Sequence, residues 1–148
     1  MMPDMNGADW PAEPGAYALL IDVANPLELI VGKLGSLRLP PGRYAYVGSA
    51  NGPGGLRSRL ARHVRRDRRR HWHIDYLTEI APVSYVYYRA HMDRLECLWS
   101  QRLLGLSGAK APAPGFGSSD CRHGCLAHLI RLPDGFRVDQ LREILSND

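Results

Sequence analysis

Three cysteines in 148 residues do not make a disulfide framework: the number is odd, Cys121 and Cys125 lie close together, and Cys97 sits inside a helical pattern. No stretch approaches the roughly 20 apolar residues of a membrane span. The opening MMPDMNGADWPAEP has no basic start followed by an apolar run. These absences exclude a disulfide-stapled module and a spanning protein, and predict a cytoplasmic chain with no membrane partner. Internal repeats and long low-complexity tracts are missing too. What remains is ordinary for a globular fold, with 45% hydrophobic and 23% charged residues, and the length fits one compact domain.

Positive charge is present but unevenly spread. Between Gly55 and Arg70 stand Arg57, Arg59, Arg62, Arg65, Arg66, Arg68, Arg69 and Arg70, with no lysine and only Asp67 against them. That stretch carries +7 in a chain of net charge +4, which leaves −3 for everything else. A concentrated basic face attracts a polyanion, and guanidinium forks suit phosphate, so nucleic acid is the leading partner. Arg57, Arg62, Arg65, Arg66 and Arg69, with His73 just beyond, are the expected contacts. The competing reading is a merely solvated basic helix.

Residues 1–14 lack periodicity and read as a flexible leader, with a single domain over 15–148. Gly15 to Val23 reads as a buried strand, Asn25-Pro26 as a turn, and Leu29 to Val31 as a second strand. Arg43 to Gly48 alternates aromatic and small residues as a strand does. The glycine-rich Asn51–Gly55 loop leads into a helix over Leu56–Asp67, whose Leu56, Leu60 and Val64 form one stripe. A helix over Trp72–Glu79 ends before Pro82, and a strand follows over Val83–Tyr88. Asp93 caps a helix to Leu106, with Leu95, Leu98, Trp99 and Leu103 on one side. A strand over Leu126–Leu132 and a helix over Val138–Leu145 complete an α+β domain.

Gly15-Ala16-Tyr17, Tyr46-Val47-Gly48-Ser49-Ala50 and Arg59-x-x-x-His63 stand in the order in which the GIY-YIG nuclease superfamily carries its signature. Trp72-His73-Ile74-Asp75-Tyr76-Leu77 and Gly115-Phe116-Gly117-Ser118-Ser119-Asp120-Cys121 make the chain most similar to the DUF123 subgroup. The resemblance covers about residues 15–132. Alanine and valine replace isoleucine in the two short triplets, and neither change removes a reacting group. Where the family carries an asparagine or similar polar residue after its glutamate helix, this chain offers Ser118, Ser119 and Asp120.

The resemblance implies a small three-stranded antiparallel sheet flanked by helices, with a C-terminal strand and helix added. It implies a metal-dependent endonuclease, a hydrolase acting on phosphodiester bonds of nucleic acid, with DNA favoured over RNA. Tyr17, Tyr46, Arg59, His63 and Glu96 are the expected catalytic residues. Glu96 would bind one Mg²⁺ or Mn²⁺, since a carboxylate-held divalent ion can polarise a phosphate. Helical periodicity places Glu96 about 20° from Leu103, bordering the buried stripe. Arg59 presents a planar fork to a phosphate oxygen. His63, one turn on, shares its edge of the helix. By resemblance Tyr17 activates or positions water, while Tyr46 holds water or phosphate, with Tyr44 on the same strand face as competitor.

Each residue also has a structural reading: glutamates are mostly surface groups, a lone edge histidine is commonly half-buried, and strand tyrosines pack cores. Two rival functions follow. One is a non-catalytic nucleic-acid-binding module of the same fold. The other is a zinc-stabilised interaction domain built on Cys121-x-His123-x-Cys125-x-x-His128, whose spacing is not that of a usual finger. With only short tails for targeting, a homodimer or a separate targeting protein would supply specificity.

Overall fold

The structure, a computed structural model, describes residues 10–65, 70, 72–90, 95–117 and 127–146. Among the described residues, six strands and four α-helices run in the order β1 Gly15–Val23, β2 Leu27–Val31, β3 Gly35–Leu39, β4 Gly42–Ala50, α1 Gly55–Val64, α2 His73–Thr78, β5 Val83–Ala90, α3 Glu96–Leu104, β6 Leu129–Arg131 and α4 Val138–Leu145. The result is the expected α+β class. Strands β5, β1, β4 and β6 form one antiparallel sheet in that order, and β2 and β3 form a separate two-stranded ribbon. The sheet is thus four-stranded where three strands were expected, because Leu129–Arg131 pairs with Tyr44–Tyr46 of β4 and extends it.

Period-two alternation in β1 and β4 separates two cores. Tyr17, Leu19, Ile21, Tyr44 and Tyr46 face α1, α2 and the ribbon, joined by Leu56, Leu60, Ile74 and Leu77. Ala18, Leu20, Ala45 and Val47 face the other way, against Trp99 and Leu103 of α3 and Leu141 and Leu145 of α4. Both faces of β1 are covered, which explains why Gly15 to Ile21 reads as a nearly continuous apolar run.

Several boundaries differ from expectation. Strand β3 was not anticipated, although Leu37 and Leu39 alternate across it and pair with Leu29 and Leu27. Of the flexible leader expected over 1–14, the described part is packed: Trp10 is buried in the first core, and the carbonyls of Pro11 and Glu13 accept the backbone N–H groups of Arg57 and Leu56. This segment therefore caps the start of α1, where orphan N–H groups need partners. Helix α3 begins at Glu96 and not Asp93, which lies outside the described residues, and Leu98 points to solvent instead of joining Trp99 and Leu103. No described helix is long and apolar enough to cross a membrane.

Candidate functional site

Paired antiparallel strands fix the two phenols. Tyr17 lies opposite Gly48 in the β1–β4 register, and Tyr46 lies opposite Leu19. The absence of a side chain at position 48 is required, because a Cβ there would stand 2.5 Å from the Tyr17 hydroxyl oxygen. Gly117, in the left-handed region at φ 71°, likewise lies where a Cβ would come within 2.8 Å of the Tyr46 ring. The glycine of the second motif is thus a packing requirement that lets the Tyr17 ring cross β4.

Helix α1 brings its apolar stripe onto the sheet, and the same face delivers His63, which is 2% exposed. The Tyr17 hydroxyl and His63 Nε2 are 2.7 Å apart. Burial pushes the Tyr17 phenol up to about 12, opposed by the charge and hydrogen bonding of Arg59. Desolvation also raises Tyr46, further still, with the neighbouring Tyr17 adding to it. Both phenols are therefore protonated at neutral pH, and Tyr17 can donate to His63 when Nε2 is the unprotonated ring nitrogen. Tyr44 is not a competitor for the site: it is fully buried and its hydroxyl donates to the Pro40 carbonyl at 2.6 Å.

Arg59 sits half-buried one turn before His63, and its Nη1 donates to the Ser49 carbonyl at 3.0 Å. Its guanidinium lies 4.3 Å from the centre of the Trp72 indole, and that of Arg62 lies 4.2 Å from the same ring. The segment before α2 thus supplies an aromatic surface for two cations of α1. Asp75, 1% exposed, anchors this arrangement by accepting the Trp72 backbone N–H at 2.9 Å and the Arg62 Nη1 at 3.0 Å. A buried carboxylate is held here by two donors of different segments.

Tyr17, Tyr46, Val47, Gly48, Ser49, Arg59, Trp72, Glu96, Gly117 and His128 line one open pocket of about 190 Å³. Glu96, half-buried at the first turn of α3, is close enough for its charge to act on both phenols and on His128. Among the described residues it makes no salt bridge. Arg59, Tyr17, Tyr46 and Glu96 are brought together as expected, and His63 stands behind Tyr17. His128, expected in a Cys/His constellation, is a member of the site. It is 5% exposed, its Nε2 lies 3.9 Å from Cys97 Sγ, and desolvation lowers its pKa despite the opposing charge of Glu96.

The expected basic contacts divide. Arg57 is exposed, with its Nε donating to the Trp10 carbonyl at 2.7 Å, and Arg65 is exposed just past α1. His73 is turned inward, where its Nδ1 accepts the Gly117 N–H at 2.9 Å and its ring meets Phe116. Arg66 and Arg69 lie outside the described residues, as do Ser118, Ser119, Asp120, Cys121, His123 and Cys125. The described residues hold no cluster of three or more metal-binding side chains.

No curated protein and no solved structure matches the chain. The family model described as domain of unknown function DUF123 matches residues 16–147, nearly the whole sequence, and every residue that lines the pocket falls within that span. The chain belongs to the DUF123 family.

Proposed function

We propose that the protein is a metal-dependent phosphodiesterase of the GIY-YIG type that hydrolyses nucleic acid, with DNA as the favoured substrate. The observation that carries this reading is the meeting of Tyr17, Tyr46, Arg59 and Glu96 around one open pocket. Hydrolysis of a phosphodiester needs an attacking water, relief of charge on the non-bridging oxygens, and a route for the water's proton.

Arg59 supplies the charge relief, held in place by the Ser49 carbonyl and the Trp72 ring. Tyr17 supplies the proton route. Its hydroxyl oxygen accepts a hydrogen bond from the water while its proton faces His63. As the water oxygen bonds to phosphorus, its proton passes to the Tyr17 oxygen and the phenol's proton passes to His63 Nε2. No free phenolate forms in a place where burial opposes it. The bond between phosphorus and the leaving oxygen breaks, and that oxygen takes a proton from solvent. Tyr46, held protonated, donates a hydrogen bond to a phosphate oxygen.

The donor set fits one hard divalent ion such as Mg²⁺ or Mn²⁺: Glu96 offers a half-buried carboxylate that pairs in no salt bridge among the described residues, and water and phosphate oxygens complete such shells. Glu96 would hold the ion, which when bound would neutralise phosphate charge and acidify a coordinated water.

Incubation with single-stranded, duplex and branched DNA, with and without Mg²⁺ or Mn²⁺, tests the reading. Metal-dependent cleavage that is lost in Glu96→Ala, with folding retained, is expected. A second reading, a binding module without turnover, is favoured by the pocket's having one carboxylate among the described residues and by two phenols pushed away from ionisation. It predicts DNA binding without cleavage under every metal condition.

A further inference from the structure

A second pocket, of about 200 Å³, adjoins the first and shares two of its walls, Arg59 and Trp72. Its other walls are the loop around Gly52 and Pro53, the hydroxyl-bearing Ser58, and Arg62. We propose that this pocket is a subsite for the nucleotide next to the scissile phosphate, and that it accepts an unpaired strand. The proposal rests on the phosphodiesterase reading for the word scissile, and on the pocket itself for the rest.

The chemistry of the walls identifies the ligand class. Two guanidiniums and a hydroxyl suit a phosphate and its sugar, and the backbone N–H groups of Leu56 and Arg57 are already taken by Glu13 and Pro11. Phosphate recognition here therefore falls to side chains and not to the start of α1. The shared wall is a half-buried indole with Arg59 and Arg62 stacked within 4.3 Å of its centre. An unstacked base therefore rests on the guanidinium planes that cover this ring, a surface of the kind on which unstacked bases lie. A base inside a duplex already has stacking neighbours on both faces and cannot enter a recess of this size. Because the two pockets meet at Arg59, a strand with one phosphate in the first places its adjoining nucleotide in the second.

The other two tryptophans, Trp10 and Trp99, are 2% and 0% exposed, so quenching of tryptophan fluorescence by a ligand reports on Trp72. The test uses oligodeoxythymidylate, the same length in duplex form, and bis(p-nitrophenyl) phosphate, which is small enough to occupy the first pocket alone. Two variants narrow the second pocket without touching the first: Ser58→Leu, and Gly52→Glu, where an added Cβ meets nothing within 4 Å. The expected result is quenching by the single strand at concentrations where the duplex gives little. Both variants should weaken single-strand binding about tenfold, while hydrolysis of bis(p-nitrophenyl) phosphate stays within about twofold. Unchanged single-strand affinity in both folded variants, or equal quenching by the duplex, overturns the proposal. Absence of any hydrolysis in the parent protein overturns the phosphodiesterase reading alone, because the metal-free binding titration still decides the subsite.

Discussion

Removing the Tyr17 hydroxyl gives the sharpest internal check on the geometry of the site. In Tyr17→Phe the 2.7 Å contact to His63 disappears, and a ring nitrogen of a residue 2% exposed is left facing a hydrocarbon. An unsatisfied buried polar group costs about 1–3 kcal/mol. For a domain of this size that lowers Tm by roughly 3–10 °C at neutral pH. Alkaline pH should reverse part of the difference. The phenol is raised by burial from an unfolded value near 10 to about 12 in the folded protein. Between those values the folded state keeps a proton that the unfolded state loses, so stability is intact below pH 10 and falls as pH rises toward 12. At about 1.4 kcal/mol per pH unit, Tyr17 alone accounts for roughly 2–3 kcal/mol of that fall. Tyr44 is raised in both proteins and cancels in the comparison, whereas part of the Tyr46 shift comes from Tyr17, so the difference between parent and variant reports Tyr17 together with its coupling to Tyr46. Urea denaturation at pH steps from 7 to 12 measures it. Parallel stability curves for the two proteins, or a neutral-pH cost under about 0.5 kcal/mol, would refute the buried, hydrogen-bonded phenol on which the proton route depends.

Gly48→Ala should destabilise the fold by about 1–3 kcal/mol through overpacking against the Tyr17 ring and reduce cleavage with it, as thermal melts and activity on one preparation would show. Arg59→Lys keeps the charge but loses the fork that both contacts Ser49 and stacks on Trp72; a fall in kcat of about a hundredfold with little change in Tm is expected from steady-state kinetics and melting. Asp75→Asn removes the charge that pairs with Arg62 while keeping an acceptor for the Trp72 N–H, and a loss of about 1–3 kcal/mol is expected in chemical denaturation. If the basic face of α1 grips phosphates, DNA affinity measured by anisotropy should fall steeply with salt, and a salt-independent affinity would exclude that role.

Much of the site could be read from the chain because its parts are periodic. Tyr17 and Tyr46 stand on strands whose alternation is plain, Arg59 and His63 are one helical turn apart, and Glu96 borders the stripe of α3 that buries Trp99 and Leu103. What escaped was set by contacts between distant segments. Nothing local in Trp10 says that it fills the first core, or that the carbonyls beside it cap α1. The β2–β3 ribbon is hidden by Gly32 and Gly35, which read as punctuation although Gly32 opens the tight turn and Gly35 begins the second strand. His128 reads as part of a cysteine-rich spacing, whereas its backbone bonds to Val47 and Phe116 and its contact with Cys97 bring it into the pocket with Glu96. The role of Asp75 in fixing Trp72 and Arg62 depends on α1 lying against α2, a tertiary fact with no short-range signal.

Anomalous diffraction from crystals soaked in Mn²⁺ tests the central claim most directly, since it locates the ion without requiring a known substrate. A peak at coordinating distance from the Glu96 carboxylate, inside the pocket lined by Tyr17, Tyr46 and Arg59, is the predicted result, and it should vanish in Glu96→Gln. An empty pocket at Mn²⁺ concentrations that support cleavage, or an ion bound only at a remote surface, would contradict the account.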